Sequence, residues 1–471
     1  MAGRNHDRQS SGGGIWKIAF VAILGSLIGQ IDATIVNISL PELVNRLDSE
    51  LATIQWVISG YLLALALALP LSGWLVDRVG GRRTYLICFP AFTGASILCA
   101  CAWSDLSLIA FRIIQGVSGG VLAPMTQIMM ARAAGNRLPQ VMGYAAMPIL
   151  VAPILGPVIA GGVLEHLSWR WLFLITVPFG ILATIMAWLV LPDDRGDIRR
   201  TPFDFLGFSL LAPGITVLLY SLSAAAWRLL PLALVLLAGF VLTALRRRKV
   251  SIINLELFGN RDFFASVAIQ FFSNATSFAG QMLIPLFLIE AGFSESETGL
   301  FIAPIGVGML LGYPMLGFLT KRFGIRWVST TGALLAACAT VPLIIMALQG
   351  VNQFLLIAAL FLRGAGMSLI SVPSVTAAYA SLGRDEIPHA STTLNIVQRL
   401  GGPIFTTVCA TFLGWRMATL APQASGIAVG EVFVLLLAVQ SILLILTLRL
   451  PIRLGEASRT RPHAVMDSHV D

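Results

Sequence analysis

Apolar residues in this chain come in long uninterrupted blocks, without the alternation of a half-buried strand or the one-sided stripe of a soluble amphipathic helix. Fourteen such blocks can be read, at 16–38, 53–76, 84–103, 106–130, 140–164, 171–191, 205–225, 229–246, 264–289, 298–320, 328–348, 352–377, 392–413 and 430–449. A helix rises about 1.5 Å per residue, so each block is long enough to cross a hydrocarbon core of roughly 30 Å. The polar segments between them are too short for a soluble domain. The pattern predicts an all-α integral membrane protein with 14 transmembrane helices. The first block is too long for a cleavable leader, contains Asp32 and is followed by no small-residue cleavage site, so it reads as a span.

Composition strengthens this reading. Hydrophobic residues make up 57% of the 471 and charged residues only 11%, where soluble domains carry about 25% charge. Charge placement then gives an orientation. With the amino terminus inside, 24 of the 31 Lys and Arg residues fall in cytoplasmic segments, and only Arg46, Arg170, Arg228 and Arg416 fall outside. Arg112, Arg363 and Arg399 stay within or beside spans. The positive-inside rule requires such an asymmetry, and one missed span would scramble it. Both termini are therefore expected in the cytoplasm. The net charge of +8 follows from topology and attraction to the inner leaflet, so membrane lipids are the expected surface partner and nucleic acid is not.

Enzyme chemistry finds no foothold. The five cysteines, Cys88, Cys99, Cys101, Cys338 and Cys409, lie in apolar blocks without paired ligand spacing. Five scattered histidines give no HExxH motif, and no Gly-rich phosphate loop is present. No metal site, cofactor or ATP-hydrolysing centre is expected, which leaves an ion gradient as the energy source.

An internal repeat organises the chain. GWLVDRVGGRR (73–83), after the second span, recurs as GFLTKRFGIRW (317–327), after the tenth, with Gly73, Arg78, Gly80 and Arg82 matching Gly317, Arg322, Gly324 and Arg326. RIIQGVSGGVLAP (112–124) in the fourth span is echoed more loosely by RGAGMSLISVP (363–373) in the twelfth. Span n thus matches span n+8. The expected organisation is two parallel six-helix halves, 1–191 and 262–450, with two inserted helices in 192–261 and a cytoplasmic tail at 451–471. Parallel halves meeting at a midplane site are the architecture of major facilitator transporters.

Several segments carry a more specific resemblance. They are IDATIVNISLP (31–41), QWVISGYLLALALALPLSGWLVDRVGGRR (55–83), RIIQGVSGG (112–120), LGPVIAGGVL (155–164), SWRWLFLITVPFG (168–180) and INLELFGNRDF (253–263). The chain resembles the fourteen-span drug:proton antiporter family of the major facilitator superfamily, the EmrB/QacA type, over essentially its whole length. It departs from that pattern at Ala152 and Ala160, where the family has Gly, and at Thr176, where it has Asn. The resemblance implies a bacterial inner-membrane location, protons and a small molecule as transported partners, and a periplasmic adaptor protein as a further one.

Candidate site residues follow, each with a structural competitor. Asp32 is the carboxylate set deepest in a span. Such residues are costly in a membrane and carry function by default, although an Asp can also cap a broken helix. Arg112, in an apolar stretch with Gln115 nearby, is either a cation facing the cavity or a side chain that snorkels to the interface. The resemblance implies proton coupling for it. Burial favours the protonated form of a carboxylate and a nearby cation the ionised form, so the pair Asp32 and Arg112 has the ingredients of a proton switch. In the loop motif Gly73, Asp77, Arg78, Gly80 and Arg82 either anchor the inner face or gate it. The resemblance places Asp77 against the helix that starts near Ser391 when the inner side is closed. Gly156, Pro157, Gly161 and Gly162 match the antiporter motif, with ordinary small-residue packing as the competitor. Gln30, Asn37, Trp56, Tyr61, Gln115, Gln270, Asn274, Gln281 and Gln398 are candidate cavity residues, and Trp or Tyr at span ends serve equally as interface anchors.

The expected function is proton-coupled antiport of amphipathic small molecules, that is, multidrug efflux. The competing expectation is a transporter of the same fold for an anionic metabolite or metal chelate, prompted by Arg112, Arg363 and Arg399.

Overall fold

The structure is a computed structural model and describes residues 12–54, 56–134, 140–144, 159, 162–191, 203–223, 226–246, 253–383, 386–419 and 425–452. Among these the regular structure is helical. The long helices are α1 (Gly12–Arg46), α2 (Trp56–Ala68), α3 (Leu71–Val79), α4 (Gly81–Ala100), α5 (Asp105–Ala134), α6 (Thr176–Val190), α7 (Phe205–Ser223), α8 (Leu230–Arg246), α9 (Arg261–Glu290), α10 (Glu295–Phe323), α11 (Ile325–Gln349), α12 (Gln353–Ala380), α13 (Ile387–Thr419) and α14 (Ser425–Thr447). Eleven helices among the described residues are long and apolar enough to cross a membrane, or twelve if the bent pair α2 and α3 is one span. The first expected span lies within the 35-residue α1. Most of the fifth lies outside the described residues.

The second apolar block is one run in sequence but two helices in space, bent by 52°. Pro70 causes the break, because proline has no N–H for the helical ladder and its ring clashes with the preceding turn. Ser72 Oγ donates to the Leu69 carbonyl at 2.8 Å, which satisfies an acceptor at the break. The thirteenth span also differs from its apolar block. It starts at Ile387, five residues before the expected 392, because the added first turn carries Pro388, His389 and Ser391. Those polar positions face protein, which hydropathy cannot register.

Contacts group the helices. α5 packs on α2, α4 and α1, and α6 on α4 and α1. α12 packs on α10, α11 and α9, while α9 also meets α13 and α14. The inserted helices α7 and α8 pair with each other, and α7 lies against α2 and α13. The repeated loop motif has repeated geometry. Gly80 and Gly324 separate consecutive helices with φ of 90° and 83°, a region that favours glycine. Arg82 Nη2 donates to the Trp188 carbonyl at 2.7 Å, and Arg326 Nε to the Leu450 carbonyl at 2.6 Å. Each arginine thus ties its motif to the close of its own helix group. The segment INLELFGNRDF supplies two side-chain caps, Asn254 to Glu256 N and Asn260 to Asp262 N, both 3.0 Å.

Candidate functional site

Small residues bring the central polar residues together. A Cβ at Gly116 would lie 2.4 Å from the Tyr61 carbonyl, and one at Gly120 2.3 Å from that of Leu65. This spacing of four lets α5 and α2 approach until backbones nearly touch, as small-xxx-small motifs do in membranes. Tyr61 is thereby laid over Arg112, with the guanidinium carbon 4.1 Å from the ring centroid.

Arg112 and Asp32 are each 1% exposed. Arg112 Nη1 donates to Asp32 Oδ2 at 2.6 Å and to Gln115 Oε1 at 2.6 Å, and Arg112 Nε to the Val57 carbonyl at 3.1 Å. Gln115 closes the triangle, since its Nε2 donates to Asp32 Oδ1 at 3.0 Å and to Ser96 Oγ at 2.8 Å. Thr176 Oγ1 lies 3.3 Å from Ser96 Oγ. Four helices, α1, α2, α4 and α5, therefore contribute to one buried network, with α6 behind it. Arg112 does not snorkel. Each Asp32 oxygen accepts a hydrogen bond, Oδ2 from Arg112 and Oδ1 from Gln115. A buried ion pair is tolerated only when its remaining polar atoms are satisfied in this way, and removing one partner is strongly destabilising. Ser96 escaped the sequence analysis, because a lone hydroxyl in an apolar helix carries no distinctive signal, and Thr176 entered it only as a departure from the family pattern.

A second set of polar contacts joins the two helix groups at the end of the bundle that bears the loop motif. A Cβ at Gly73 would fall 2.8 Å from Thr392 Oγ1 and 3.2 Å from the Pro388 carbonyl, so α3 rests directly on the first turns of α13. Ser72 Oγ lies 3.2 Å from Thr392 Oγ1, and Asp77 Oδ2 is 3.3 Å from His389 Nε2. Gln127 Oε1 accepts from Tyr379 OH and from Asn395 Nδ2, both at 3.0 Å. Ser391 Oγ donates to the Pro124 carbonyl at 3.3 Å. This end is closed. Arg78 lies over the Trp74 ring at 5.7 Å. His389 and Tyr379 here join Gln127 and Asn395, two amides visible within spans of the sequence; a titratable residue in the first turn of α13 was the further sequence signal.

The other candidates are dispersed. Gln270 is buried between α9 and α12, where it donates to the Ser371 carbonyl and Ser374 Oγ, both at 2.7 Å. Trp56 is 42% exposed and stacks on Tyr220 of α7 at 6.0 Å, on the side of the inserted helices. Gln30, Asn274 and Gln398 are half-buried and Gln281 is exposed. Asn37 lies in α1, but its side chain falls outside the described residues, as do Gly156, Pro157 and Gly161. Gly162 is described and exposed, with open space where a Cβ would be. Among the described residues, no group of three or more His, Cys, Asp or Glu side chains could hold a metal ion.

Comparison with known proteins gives concordant matches. A family model described as Major Facilitator Superfamily matches residues 22–406 and 267–451. The multidrug resistance protein B homolog of Mycobacterium tuberculosis is 32% identical over 416 residues, which cover 86% of this chain and 77% of that protein. The putative multidrug resistance protein MdtD of Escherichia coli O81 is 30% identical over 411 residues, 85% of this chain and 86% of that protein. Among solved structures, the proton:xylose symporter XylE superposes with a TM-score of 0.62 at 15% identity, covering 90% of this chain and 95% of that one. Human MFSD10 does so with 0.64 at 16% identity, covering 92% and 99%. The structural likenesses at such identities concern the fold alone.

Proposed function

The chain belongs to the major facilitator superfamily, and from that premise we propose that it is a proton-coupled exporter of amphipathic small molecules, with Asp32 as the carrier of the coupling proton. Its relatives' names as multidrug resistance proteins support the direction and the breadth of transport. The observation that carries the coupling assignment is the buried triangle of Asp32, Arg112 and Gln115.

The physics of that triangle suits a switch. With Asp32 ionised, the charge of Arg112 is compensated and the network is complete. A proton on Asp32 cancels the pair and leaves Arg112 as an uncompensated buried cation, which costs several kcal/mol in such surroundings. The protonated state therefore favours rearrangement of α1 against α5, and release of the proton restores the pair. Each charge moved across the membrane contributes about 2.3 kcal/mol per 100 mV. Charge placement along the chain supports a cytoplasmic setting for the closed end, with Asp77 and His389, and for both termini, and the bacterial relatives support a bacterial inner membrane. Fourteen spans, in two halves of six with α7 and α8 inserted, complete the proposed topology. For Gly156, Pro157, Gly161 and Gly162 the resemblance to the antiporter motif supports a bending and packing role in the fifth span that keeps an exchanger from leaking. A periplasmic adaptor is the proposed protein partner.

The test is uphill transport in proteoliposomes with an imposed pH gradient, using three pyrene probes of matched bulk: pyrenebutanoate, its neutral amide and a pyrenebutyl trimethylammonium. The expected result is accumulation of at least one probe by the wild type, none by Asp32→Asn at normal insertion, and partial accumulation by Asp32→Glu. Accumulation of no probe by the wild type, or wild-type accumulation with unchanged pH dependence by Asp32→Asn, overturns the reading.

A further inference from the structure

Four charged residues sit well inside described helices, away from their ends: Asp32, Arg112, Arg363 and Arg399. Asp32, the one carboxylate among them, is already paired with Arg112. Arg363 is 1% exposed and donates to the Thr276 carbonyl at 2.7 Å and Thr340 Oγ1 at 3.4 Å, so it is closed in by protein. Arg399 is different. It lies twelve residues into the 33-residue α13, is only half-buried, and has no hydrogen-bond or ion-pair partner among the described residues. A guanidinium in the middle of a membrane helix is retained when it faces a polar cavity or a partner.

The position of Arg399 on α13 gives its direction. Ser391, Asn395 and Arg399 are spaced by four and share one helix face. Ser391 meets the Pro124 carbonyl and Asn395 meets Gln127, both on α5. Each step of four climbs about 6 Å. Arg399 therefore stands one turn beyond the last contact that closes the bundle, on the face turned toward the amino-terminal helices. Gln398 beside it and Asn274 on α9 are half-buried as well, and neither side chain makes a hydrogen bond among the described residues. One turn on, Cβ positions at Gly401 and Gly402 would meet the Phe271 carbonyl and the Phe278 ring at 2.2 and 2.9 Å, which sets α9 and its phenylalanines directly alongside.

We propose that Arg399 is the anion-binding residue of the transport site, and that the transported amphiphiles are organic acids: a carboxylate or sulfonate on an aromatic or aliphatic body. The inference rests on the exporter reading for the word transported, but its charge argument is separate. With Asp32 ionised the four interior groups sum to two positive charges, an environment that repels an organic cation and attracts an anion. The planar guanidinium fork matches a carboxylate with two parallel hydrogen bonds, and the half-buried amides of Gln398 and Asn274 supply further donors. Phosphate of an anionic lipid shares this chemistry, so the experiment separates the two sources.

Binding of the three pyrene probes to the full chain is measured by fluorescence anisotropy in phosphatidylcholine nanodiscs. The wild type is expected to bind pyrenebutanoate at least tenfold more tightly than the trimethylammonium probe, Arg399→Gln to lose that preference, and Arg399→Lys to keep part of it. If Arg399→Gln is not monodisperse, Arg399→His is titrated from pH 8 to 5. Its affinity for the anion should rise, relative to the wild-type profile, as the imidazole gains its proton. No preference for the anion in the wild type, full preference in Arg399→Gln, or a wild-type profile in Arg399→His overturns the inference. So does loss of pyrenebutanoate binding when phosphatidylglycerol is added to the discs, which would identify a lipid site. Selective binding of the anion without pH-driven accumulation would overturn the exporter reading and leave the anion site in place.

Discussion

Arg112 and Arg363 occupy corresponding places in the two repeats, and each is 1% exposed. Each donates to a backbone carbonyl of a neighbouring helix, Val57 at 3.1 Å and Thr276 at 2.7 Å. They part over the next contact. Arg112 meets the Asp32 carboxylate at 2.6 Å. Arg363 meets helix α9 so closely that a Cβ at Gly280 would lie 2.1 Å from its Nη2, which leaves no room there for an acidic side chain. Its other contact is Thr340 Oγ1, itself 2.8 Å from Gln440 Oε1. One scaffold thus holds a buried guanidinium in two ways. The first has a partner whose charge a proton can cancel; the second has neutral dipoles, and no proton at neutral pH alters them. On the proposed coupling role of Asp32, the difference puts the proton switch in the first group of helices and gives Arg363 a packing role in the second.

Substitutions can break this comparison. Arg112→Gln should have the largest effect, since it strands an ionised carboxylate. About 3–5 kcal/mol is lost when one partner of a buried pair is removed. Thermal unfolding in detergent should show a much larger drop than for Arg363→Gln, and the double variant Arg112→Gln with Asp32→Asn should recover most of it. Equal losses in the two single variants would erase the distinction.

Gly280→Ala should come next. The added methyl meets the guanidinium of Arg363, and overpacking of this kind costs roughly 1–3 kcal/mol. Pairing it with Arg363→Gln should remove most of that loss, and no recovery would mean that the clash lies elsewhere. The smallest expected effect is that of Thr340→Val, which deletes a hydroxyl contacting both Arg363 and Gln440. Stability should fall by about 0.5–1.5 kcal/mol with pH-driven accumulation unchanged. A loss of coupling would give Arg363 a part in proton transfer.

How much of this was legible in the sequence depended on contrast. Asp32, Arg112 and Gln115 stand out because ionisable and amide groups are rare in apolar blocks, and these three converge. The break at Pro70 was visible as a residue but not as a bend, because hydropathy averages across it. The apolar block of α13 begins late for the same reason, since His389 and Ser391 are polar yet packed against α3 and α5. Trp56 and Gln270 were indistinguishable by type from cavity residues. Only neighbours reveal that one stacks on Tyr220 and the other ties α9 to α12. Serine and threonine gave least, because membrane helices return such hydroxyls to their own carbonyls, as Ser72, Thr93 and Thr340 do here.

The break at Pro70 has a mechanical consequence. Its upper arm, α2, carries Tyr61 over the guanidinium of Arg112, and its lower arm, α3, carries Gly73 and Asp77 onto the first turns of α13. A straight span would transmit torque between those stations as a stiff rod. This one is a crank with a 52° elbow, and the elbow's compliance is set by a few bonds, among them Leu69 N to the Leu65 carbonyl at 3.1 Å and Ser72 Oγ to the Leu69 carbonyl at 2.8 Å. The stiffness of a single joint, made by one imino acid and one hydroxyl, thus sets how far a displacement at one arm is felt along the chain at the other.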